Sequence, residues 1–316
     1  MMSVRSWNAS PTGVVVSGTL DNGQERLAGR ARLRAAPSSS PGRRSVRFTP
    51  VDVPNAVREL ALHPARELPP LPGLERIETD GFLLVLDPYP SAQMVEPMNV
   101  SPEAVPASVE AARTIARERR KSLLAWWVGP DRRDLEQPLE AAGLAHQDTP
   151  GLEAVENAMV LLEPPKGQAA AGGVVVKETE TYEEYTAGWG VVMEAFGFPD
   201  AMRAETAADL PKRWEEYTTP SNPGRHYIAF IDGRIVGTAF AVFGGAGVNL
   251  FGGAVLEHAR GLGVYNALIR ARWEAAVARG TPALTVQAGR MSKPILEKLG
   301  FQDVGQAHIF VDTIPG

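Results

Sequence analysis

The sequence predicts an α/β protein of two halves that share one topology. Short apolar runs that end at Gly, Pro or Asp alternate with longer stretches of helical periodicity, the pattern of strands alternating with helices. An internal repeat supports two similar halves, since LEAAGL at 139–144 and LEKLGF at 296–301 each follow a helix, a strand and a turn. With 316 residues, the chain is long enough for each half to bury its own core.

The first half is predicted from residue 48 to residue 165. Residues 164–173 are rich in Pro, Ala and Gly, which is linker composition, so we place the domain boundary at 166–173. Trp126 and Trp127 point to opposite faces of one predicted strand, so we expect one of them in a core. The predicted elements are strand 82–86, helix 102–121, strand 123–128, helix 134–142 and strand 158–162.

The second half is predicted from residue 174 to residue 316. Asp232-Gly233 between two apolar runs is a strong hairpin signal, because both residues accept a positive φ. The predicted elements are strand 174–176, helices 181–196 and 203–218, strands 227–231, 234–243 and 248–256, a helix from 264 to Gly280, strand 284–287, a helix capped by Ser292 that ends at Gly300, and strand 306–311.

Composition narrows the classes of function. The net charge is −5. Residues 1–47 contain eight Arg and only two acidic residues, Asp21 and Glu25, so the rest of the chain is acidic. We therefore expect no nucleic-acid partner. No run of eighteen apolar residues occurs, so no membrane span is predicted. The absence of cysteine excludes a thiolate nucleophile and favours a reducing cytoplasm.

Residues 1–47 are predicted to be a disordered basic extension because they are rich in Arg, Ser and Pro. A transit peptide or a start codon placed too early are the alternatives. We expect no metal site, since four histidines lack the spacing of metal ligands: His63, His146, His226 and His308.

A glycine-rich loop joins the predicted strand 248–256 to the helix that begins at Val264. Gly261 and Gly263 allow the backbone to turn so that consecutive N–H groups point into one concavity, and the helix behind adds its unpaired donors and the positive end of its dipole. Such a site attracts phosphate. A P-loop would need Gly-Lys-Ser/Thr, and a dinucleotide fold would need a glycine at Asn266, so both of those families are excluded.

The loop RGLGVY at 260–265 resembles the Arg/Gln-x-x-Gly-x-Gly/Ala pyrophosphate loop of the GNAT N-acetyltransferases, and 292–301 resembles the family's later helix ending in Gly-Phe. The resemblance covers about 174–312 and implies a mixed, mostly antiparallel sheet that opens beside the pantetheine arm of acetyl-CoA, its co-substrate. The first half lacks the glycine loop and resembles a degenerate GNAT fold with a structural role. The coenzyme-binding residues that the resemblance implies are Ala254, Val255, Leu256, Arg260, Gly261, Leu262, Gly263, Val264 and Tyr265.

Acyl transfer to an amine needs a polarised carbonyl, an unprotonated amine and a destination for the proton. Glu194, Glu257 and His258 are the candidate bases, and a solvated surface position is the alternative for each. Four aromatic residues are candidates for an acceptor pocket, with plain core packing as the alternative: Trp189, Phe196, Phe198 and Trp214.

Three positions depart from the family pattern. Tyr265 replaces the usual small residue, Leu296 stands where the family often has a tyrosine that acts as general acid, and Gly289 stands where an asparagine often opens the last helix. The sequence therefore predicts an N-acetyltransferase acting on a primary amine of a small molecule or peptide. The alternative is an acyl-CoA-binding sensor or interaction module without turnover. The acceptor and the oligomeric state stay open.

Overall fold

The computed structural model describes residues 52–87, 92–149, 152–167 and 173–314. The predicted extension 1–47 lies outside the described residues. None of the described helices is long and apolar enough to cross a membrane.

Eight helices and eleven strands are formed by the described residues, with one-turn or two-turn 3-10 helices at Pro102–Ala104, Pro130–Leu135 and Glu257–Ala259. The helices are α1 (Asn55–Leu62), α2 (Pro64–Glu67), α3 (Val105–Glu118), α4 (Glu136–Ala141), α5 (Tyr182–Ala195), α6 (Asp200–Tyr217), α7 (Val264–Ala278) and α8 (Lys293–Leu299). The strands are β1 (Glu75–Glu78), β2 (Phe82–Leu86), β3 (Gln93–Pro97), β4 (Leu123–Val128), β5 (Val155–Leu161), β6 (Val175–Glu178), β7 (Gly224–Ile231), β8 (Arg234–Phe243), β9 (Val248–Val255), β10 (Leu284–Ala288) and β11 (Gln302–Thr313).

All eleven strands belong to one sheet, in the order β1-β2-β3-β4-β11-β5-β10-β9-β8-β7-β6. Only β3–β4 and β9–β10 are parallel, and every other neighbouring pair among the described strands is antiparallel. The predicted fold class, a mixed and mostly antiparallel sheet flanked by helices, is confirmed. In the second half the predicted order of elements is confirmed as well.

The two halves exchange strands at the centre of this sheet. The last strand of the second half, β11, lies between β4 and β5 of the first half, and β5 in turn separates β11 from β10. A cut at the predicted boundary 166–173 would therefore remove β11 from both of its neighbours. The division of the chain into two domains stays a prediction.

The two copies of the internal repeat form the same local structure. Gly143 and Gly300 follow α4 and α8 with φ of 91° and 102°, a conformation that favours glycine after a helix. The next residue, Leu144 or Phe301, is buried in the core of its own half. The predicted hairpin is also present, because Asp232 and Gly233 both have a positive φ between β7 and β8.

In each half, the helices of that half pack on the sheet and bury a hydrophobic core. Trp126 lies in the first-half core with α3 and α4, while its neighbour Trp127 is buried in a smaller cluster on the opposite face. In the second half, α7 and α8 cover the residues Leu250, Val286 and Ala288. The other face of the sheet centre is covered by α1, which packs on β5, β10 and β11.

Candidate active site

The predicted phosphate loop has the backbone that its glycines suggested. Gly261 and Gly263 have φ of 78° and 84°, in the left-handed region that favours glycine. Gly263 is the N-cap of α7, and its carbonyl accepts the first helical hydrogen bond from the Ala267 N–H at 3.0 Å. The N–H groups of the first turn of α7 have no hydrogen-bond partner within the helix. They point toward the loop and can donate hydrogen bonds to a bound anion.

Two further glycines let α7 approach the sheet closely. A Cβ on Gly237 of β8 would lie 2.6 Å from Cγ1 of Val264, and a Cβ on Gly253 of β9 would lie 3.0 Å from the ring of Tyr265. Any larger residue at these positions would push the start of α7 away. Tyr265 thus packs over a glycine rather than crowding the loop.

Strands β9 and β10 separate beside this loop. Their parallel pairing ends at Leu250 and Val286, although β9 continues to Val255 and β10 to Ala288. A β-bulge in β9 lies where the two strands separate. Between the pairs Thr238–Ala254 and Phe240–Phe251, two residues of β9 lie opposite one residue of β8. The bulged Gly252 has a φ of 59°. The end of β9 therefore offers backbone groups that β10 does not use.

A buried arginine on α7 donates a hydrogen bond to the backbone beside the bulge. Arg272 of α7 is 1% exposed, and its guanidinium donates to the Phe240 carbonyl at 3.0 Å and to the Leu268 carbonyl at 3.0 Å. Burial lowers the pKa of Arg272 to about 10. Its hydrogen bond to Phe240 fixes the carbonyl beside the bulge.

We compared the sequence and the structure of this chain with those of known proteins. No family model matches the sequence, and no curated protein matches it. A GCN5-related N-acetyltransferase from Kribbella flavida is similar in structure, with a TM-score of 0.61, 15% identity, and coverage of 83% of this chain and 96% of that chain. The chain has the GNAT fold.

Two further solved structures share this GNAT fold. A GCN5-related N-acetyltransferase from Sphaerobacter thermophilus has a TM-score of 0.53 at 16% identity, covering 75% of this chain and 82% of that chain. A tandem GNAT protein from the clavulanic acid biosynthesis pathway has a TM-score of 0.52 at 17% identity, covering 82% of this chain and 88% of that chain. The second similarity agrees with the predicted tandem of GNAT-like halves.

The residues implied for coenzyme binding are grouped at one end of the GNAT sheet. Ala254 and Leu256 are buried beside the end of α5, Val255 is half-buried, and Arg260 and Leu262 are exposed on the loop. All of these positions follow Leu250, the last residue of β9 that pairs with β10. Whether each of them contacts a coenzyme stays a prediction.

The three predicted bases lie on the surface. Glu194 is exposed near the end of α5, while Glu257 and His258 are exposed in the 3-10 turn between β9 and the loop. Their side chains form no hydrogen bond or ion pair with the residues that the structure describes. Their catalytic roles stay predictions.

The two tryptophan candidates pack against other aromatic rings of the second half. Trp189 lies 5.5 Å from Phe240 and under the Arg213 guanidinium, and Trp214 packs on Tyr185. Phe196 is half-buried and packs with α5 and the end of β9. Phe198 is buried. No group of three or more His, Asp and Glu among the described residues is arranged to hold a metal ion.

The corresponding place in the first half is built differently. Strands β3 and β4 also stop pairing, at Val95 and Trp126, but the loop after β3 turns its Met98 and Val100 carbonyls toward Arg132, which donates to both. This loop therefore directs carbonyl groups to a guanidinium, whereas the loop before α7 leaves backbone N–H groups unpaired.

The opening itself is also occupied in the first half. His63 hydrogen bonds Glu96 of β3 at 2.6 Å, and its ring lies 3.0 Å from where a Cβ on Gly129, just after β4, would be. A side chain of the protein thus fills the position that is open between β9 and β10.

A cavity of about 100 Å³ lies on the face of the sheet opposite α7. Its walls come from both halves, since Met94 of β3 and Val242 of β8 line it together with Phe251 of β9 and the segment after α2. Strands β3 and β8 are six places apart in the sheet, so the sheet must curve strongly for both to reach one cavity.

Sequence reasoning missed several of these features. The Gly252-Gly253 pair inside a predicted strand was the signal for the bulge, because glycines within strands often mark one. Arg272 lies on the apolar face of a predicted helix, where a charged residue needs a specific partner. No local sequence pattern predicted that His63 would lie between the separated ends of β3 and β4.

Proposed function

We propose that the second half binds acetyl-CoA and transfers its acetyl group to a primary amine of a small molecule or peptide. The observation that carries the proposal is the coincidence of two features. The phosphate loop at the start of α7 adjoins the gap where β9 leaves β10. A phosphate-bearing thioester needs both, one for its anion and one for its extended arm.

The chain's own groups suit each part of this ligand. The loop donors and the α7 dipole attract the pyrophosphate, and the exposed Arg260 adds positive charge at the rim. The free backbone groups of β9 can pair with the amide groups of the pantetheine arm as a neighbouring strand would. A backbone N–H at the gap would polarise the thioester carbonyl.

On the face opposite α7, α1 covers the sheet at Ala283, just before β10, so the acceptor enters at the other end of β10, beside the end of β9. Phe251 on this face lines the cavity shared by the two halves, whose walls are mainly apolar. We therefore propose that the acceptor carries an apolar group next to its amine. The cysteine-free composition supports a cytoplasmic site of action.

Proton return to the leaving thiol does not come from position 296. Leu296 is fully buried in the second-half core and has no proton to donate. A thiol with an ordinary pKa of about 8.5 leaves tolerably as its thiolate, so turnover is slowed rather than prevented.

The test is release of free thiol from acetyl-CoA with a panel of primary amines, run beside calorimetry of acetyl-CoA binding. We expect binding, amine-dependent thiol release, and faster turnover of phenethylamine and hexylamine than of spermidine or lysine methyl ester. Binding without thiol release for any amine would instead support an acyl-CoA sensor. Absence of binding would contradict both functions.

A further inference from the structure

We infer that Glu156, on the strand that the first half places beside β10, takes the proton from the acceptor's ammonium group. This inference rests on the proposed transferase function. None of the three exposed candidate bases is needed for it. It also gives the first half a direct part in the chemistry of the second.

The register of the sheet places Glu156 at the open end of the gap. Strand β5 pairs with β10 so that Asn157 lies opposite Ala288, the last residue of β10. Glu156 is the next residue, so it lies beside Gly289, about one strand spacing (~4.8 Å) from the end of β10. The pairing of β10 with β9 has already ended at Val286.

The alternation of side chains places Glu156 on the acceptor's side of the sheet. Val286 and Ala288 face the core under α7, and Asn157 shares the face of its partner Ala288. Glu156 and Gln287 therefore face the other way. A thioester anchored at α7 on one face and passing through the gap would present its carbonyl to the face that carries Glu156.

The carboxyl group of Glu156 has no partner among the described residues. It is 1% exposed, forms no hydrogen bond or ion pair with any of them, and its Oε2 is fully buried without a donor. A buried carboxyl without a donor destabilises the fold, and such groups are concentrated at functional sites. Burial raises the pKa of Glu156 well above its usual range, and the negative charge of Glu153 raises it further.

Glu153 is fixed at the same opening. Its Oε2 accepts from the Arg290 backbone N–H at 2.9 Å, and its Oε1 would lie 2.8 Å from a Cβ on Gly289. The Glu153 carboxylate therefore lies next to the end of β10, with its negative charge near Glu156.

Most other charged groups on the surrounding elements are directed elsewhere. Glu59 of α1 is half-buried and forms no ion pair with a described residue. The rest have partners of their own: Arg290 pairs with Asp148 and Glu153, Arg58 of α1 donates to the Val304 carbonyl, Lys293 binds Asn157 and Asp303 on the opposite face, and His308 of β11 pairs with Glu136.

The proton transfer conserves atoms and charge. The Glu156 carboxylate removes one proton from R–NH3⁺, and the neutral amine attacks the thioester carbonyl carbon. The C–N bond forms, the C–S bond breaks, and the second nitrogen proton is carried to the leaving sulfur, giving the amide and the free thiol. Glu156 then returns its proton to water. A carboxyl with a raised pKa is a better proton acceptor than an ordinary one.

The experiment compares the full chain with three substitutions: Glu156→Gln, Glu153→Gln, and Glu163→Gln as a control at an exposed position just past the other end of β5. Acetyl-CoA affinity is measured by calorimetry, folding by thermal melting, and kcat/KM against pH with the amine that the parent turns over fastest. We expect Glu156→Gln to bind acetyl-CoA normally while kcat/KM falls by about 10²-fold or more. The rising limb of its pH profile should move up toward the pKa of the acceptor amine, because only amine that is already neutral can then react.

The two other substitutions separate a proton carrier from a residue that only packs. Glu153→Gln should shift the rising limb to lower pH, because removing its charge lowers the pKa of Glu156, and Glu163→Gln should leave the profile unchanged. A Glu156→Gln protein that keeps its kcat/KM within twofold, or keeps the same pH profile, would overturn the assignment. Failure of the proposed function would instead appear in the parent, as absent binding or absent transfer, and would overturn both.

Discussion

Cγ1 of Val264, the first residue of α7, lies only 2.6 Å from the place that a Cβ on Gly237 would occupy. This approach sets the predicted phosphate loop against β8 and β9, so the loop and the strand gap share one rigid support. A change at either residue should therefore affect both parts of the site.

Gly237→Ala should displace the start of α7. The added methyl would meet Val264 Cγ1 at 2.6 Å and the Ala254 carbonyl oxygen at 3.3 Å, so we expect a loss of about 1–3 kcal/mol of stability and weaker acetyl-CoA binding. Chemical denaturation and calorimetry measure the two effects. Val264→Ala in the same chain should restore both in part.

The matched control for this substitution is Gly245→Ala, at an exposed turn position with no atom within 4 Å of the added methyl and an ordinary φ. It should leave stability and affinity unchanged. If Gly237→Ala behaves like this control, α7 is not held by the contact.

Arg272→Met should weaken coenzyme binding more than it weakens the fold. Lowering the pKa of Arg272 to about 10 corresponds to about 3 kcal/mol of unfavourable burial, which two charge-assisted hydrogen bonds of about 1.5–3 kcal/mol each roughly offset. Methionine removes both terms but leaves the Phe240 carbonyl beside the bulge without its donor.

Denaturation and calorimetry on Arg272→Met and Arg272→Lys decide this point. We expect a stability change of less than about 2 kcal/mol for Met, with a clear loss of acetyl-CoA affinity that Lys partly avoids. A large loss of stability with normal affinity would show that Arg272 only fills the core.

His226 should make the fold sensitive to mild acid. Its ring is fully buried between the Thr179 and Thr238 hydroxyls, at 2.9 Å and 2.6 Å, and burial lowers its pKa to about 3. Because the folded pKa is below the unfolded value of about 6.5, the unfolded chain binds the extra proton first, and stability falls as pH drops below about 6.5.

The expected loss through His226 is about 2 kcal/mol between pH 7.5 and pH 5. Urea unfolding at both pH values measures it. His226→Gln, which can still bind both hydroxyls, should flatten this dependence while costing some stability at pH 7.5. An unchanged pH dependence in the variant would assign the acid sensitivity to other groups.

The strand exchange predicts that the first half does not fold alone. A fragment ending at Lys166 lacks β10 and β11, so β4 would lose one neighbour and β5 would lose both of its neighbours at the centre of the sheet. We expect the fragment to lack cooperative thermal unfolding by circular dichroism and to gain it when a peptide of residues 300–316 is added. Cooperative unfolding of the fragment without the peptide would contradict this and favour a domain boundary at 166–173.

Local signals made much of the second half predictable. Asp232-Gly233, Gly280 and Gly300 each mark the end of an element by their backbone preference, and Gly261 with Gly263 marks the turn before α7. These residues act within a few positions of themselves, so a single sequence reveals them.

Other elements gave no such signal. β1 reads ERIE and is an edge strand with charged ends, β3 reads QMVEP, and α1 is only two turns long, so none of the three was predicted. β11 was predicted but is longer than expected, because the irregularity at Gly305 lets it continue rather than stop.

The position of β11 between β4 and β5 depends on pairing with strands far away in the chain, for which one sequence carries no local pattern. Glu156 was missed for the same reason. Its importance comes from the strand beside it, and in the sequence it is one acidic residue before an apolar run.

Coenzyme binding at the loop is tested most directly by calorimetry of acetyl-CoA with Gly261→Glu and Gly280→Glu. Both glycines have a left-handed φ, 78° and 76°, and neither has an atom within 4 Å of an added Cβ, so the strain is matched. They differ in place: Gly261 lies at the start of α7 and Gly280 just beyond its end. We expect Gly261→Glu to abolish binding by setting a carboxylate against the pyrophosphate, while Gly280→Glu binds like the parent. Equal affinity of the two variants would contradict coenzyme binding at this loop.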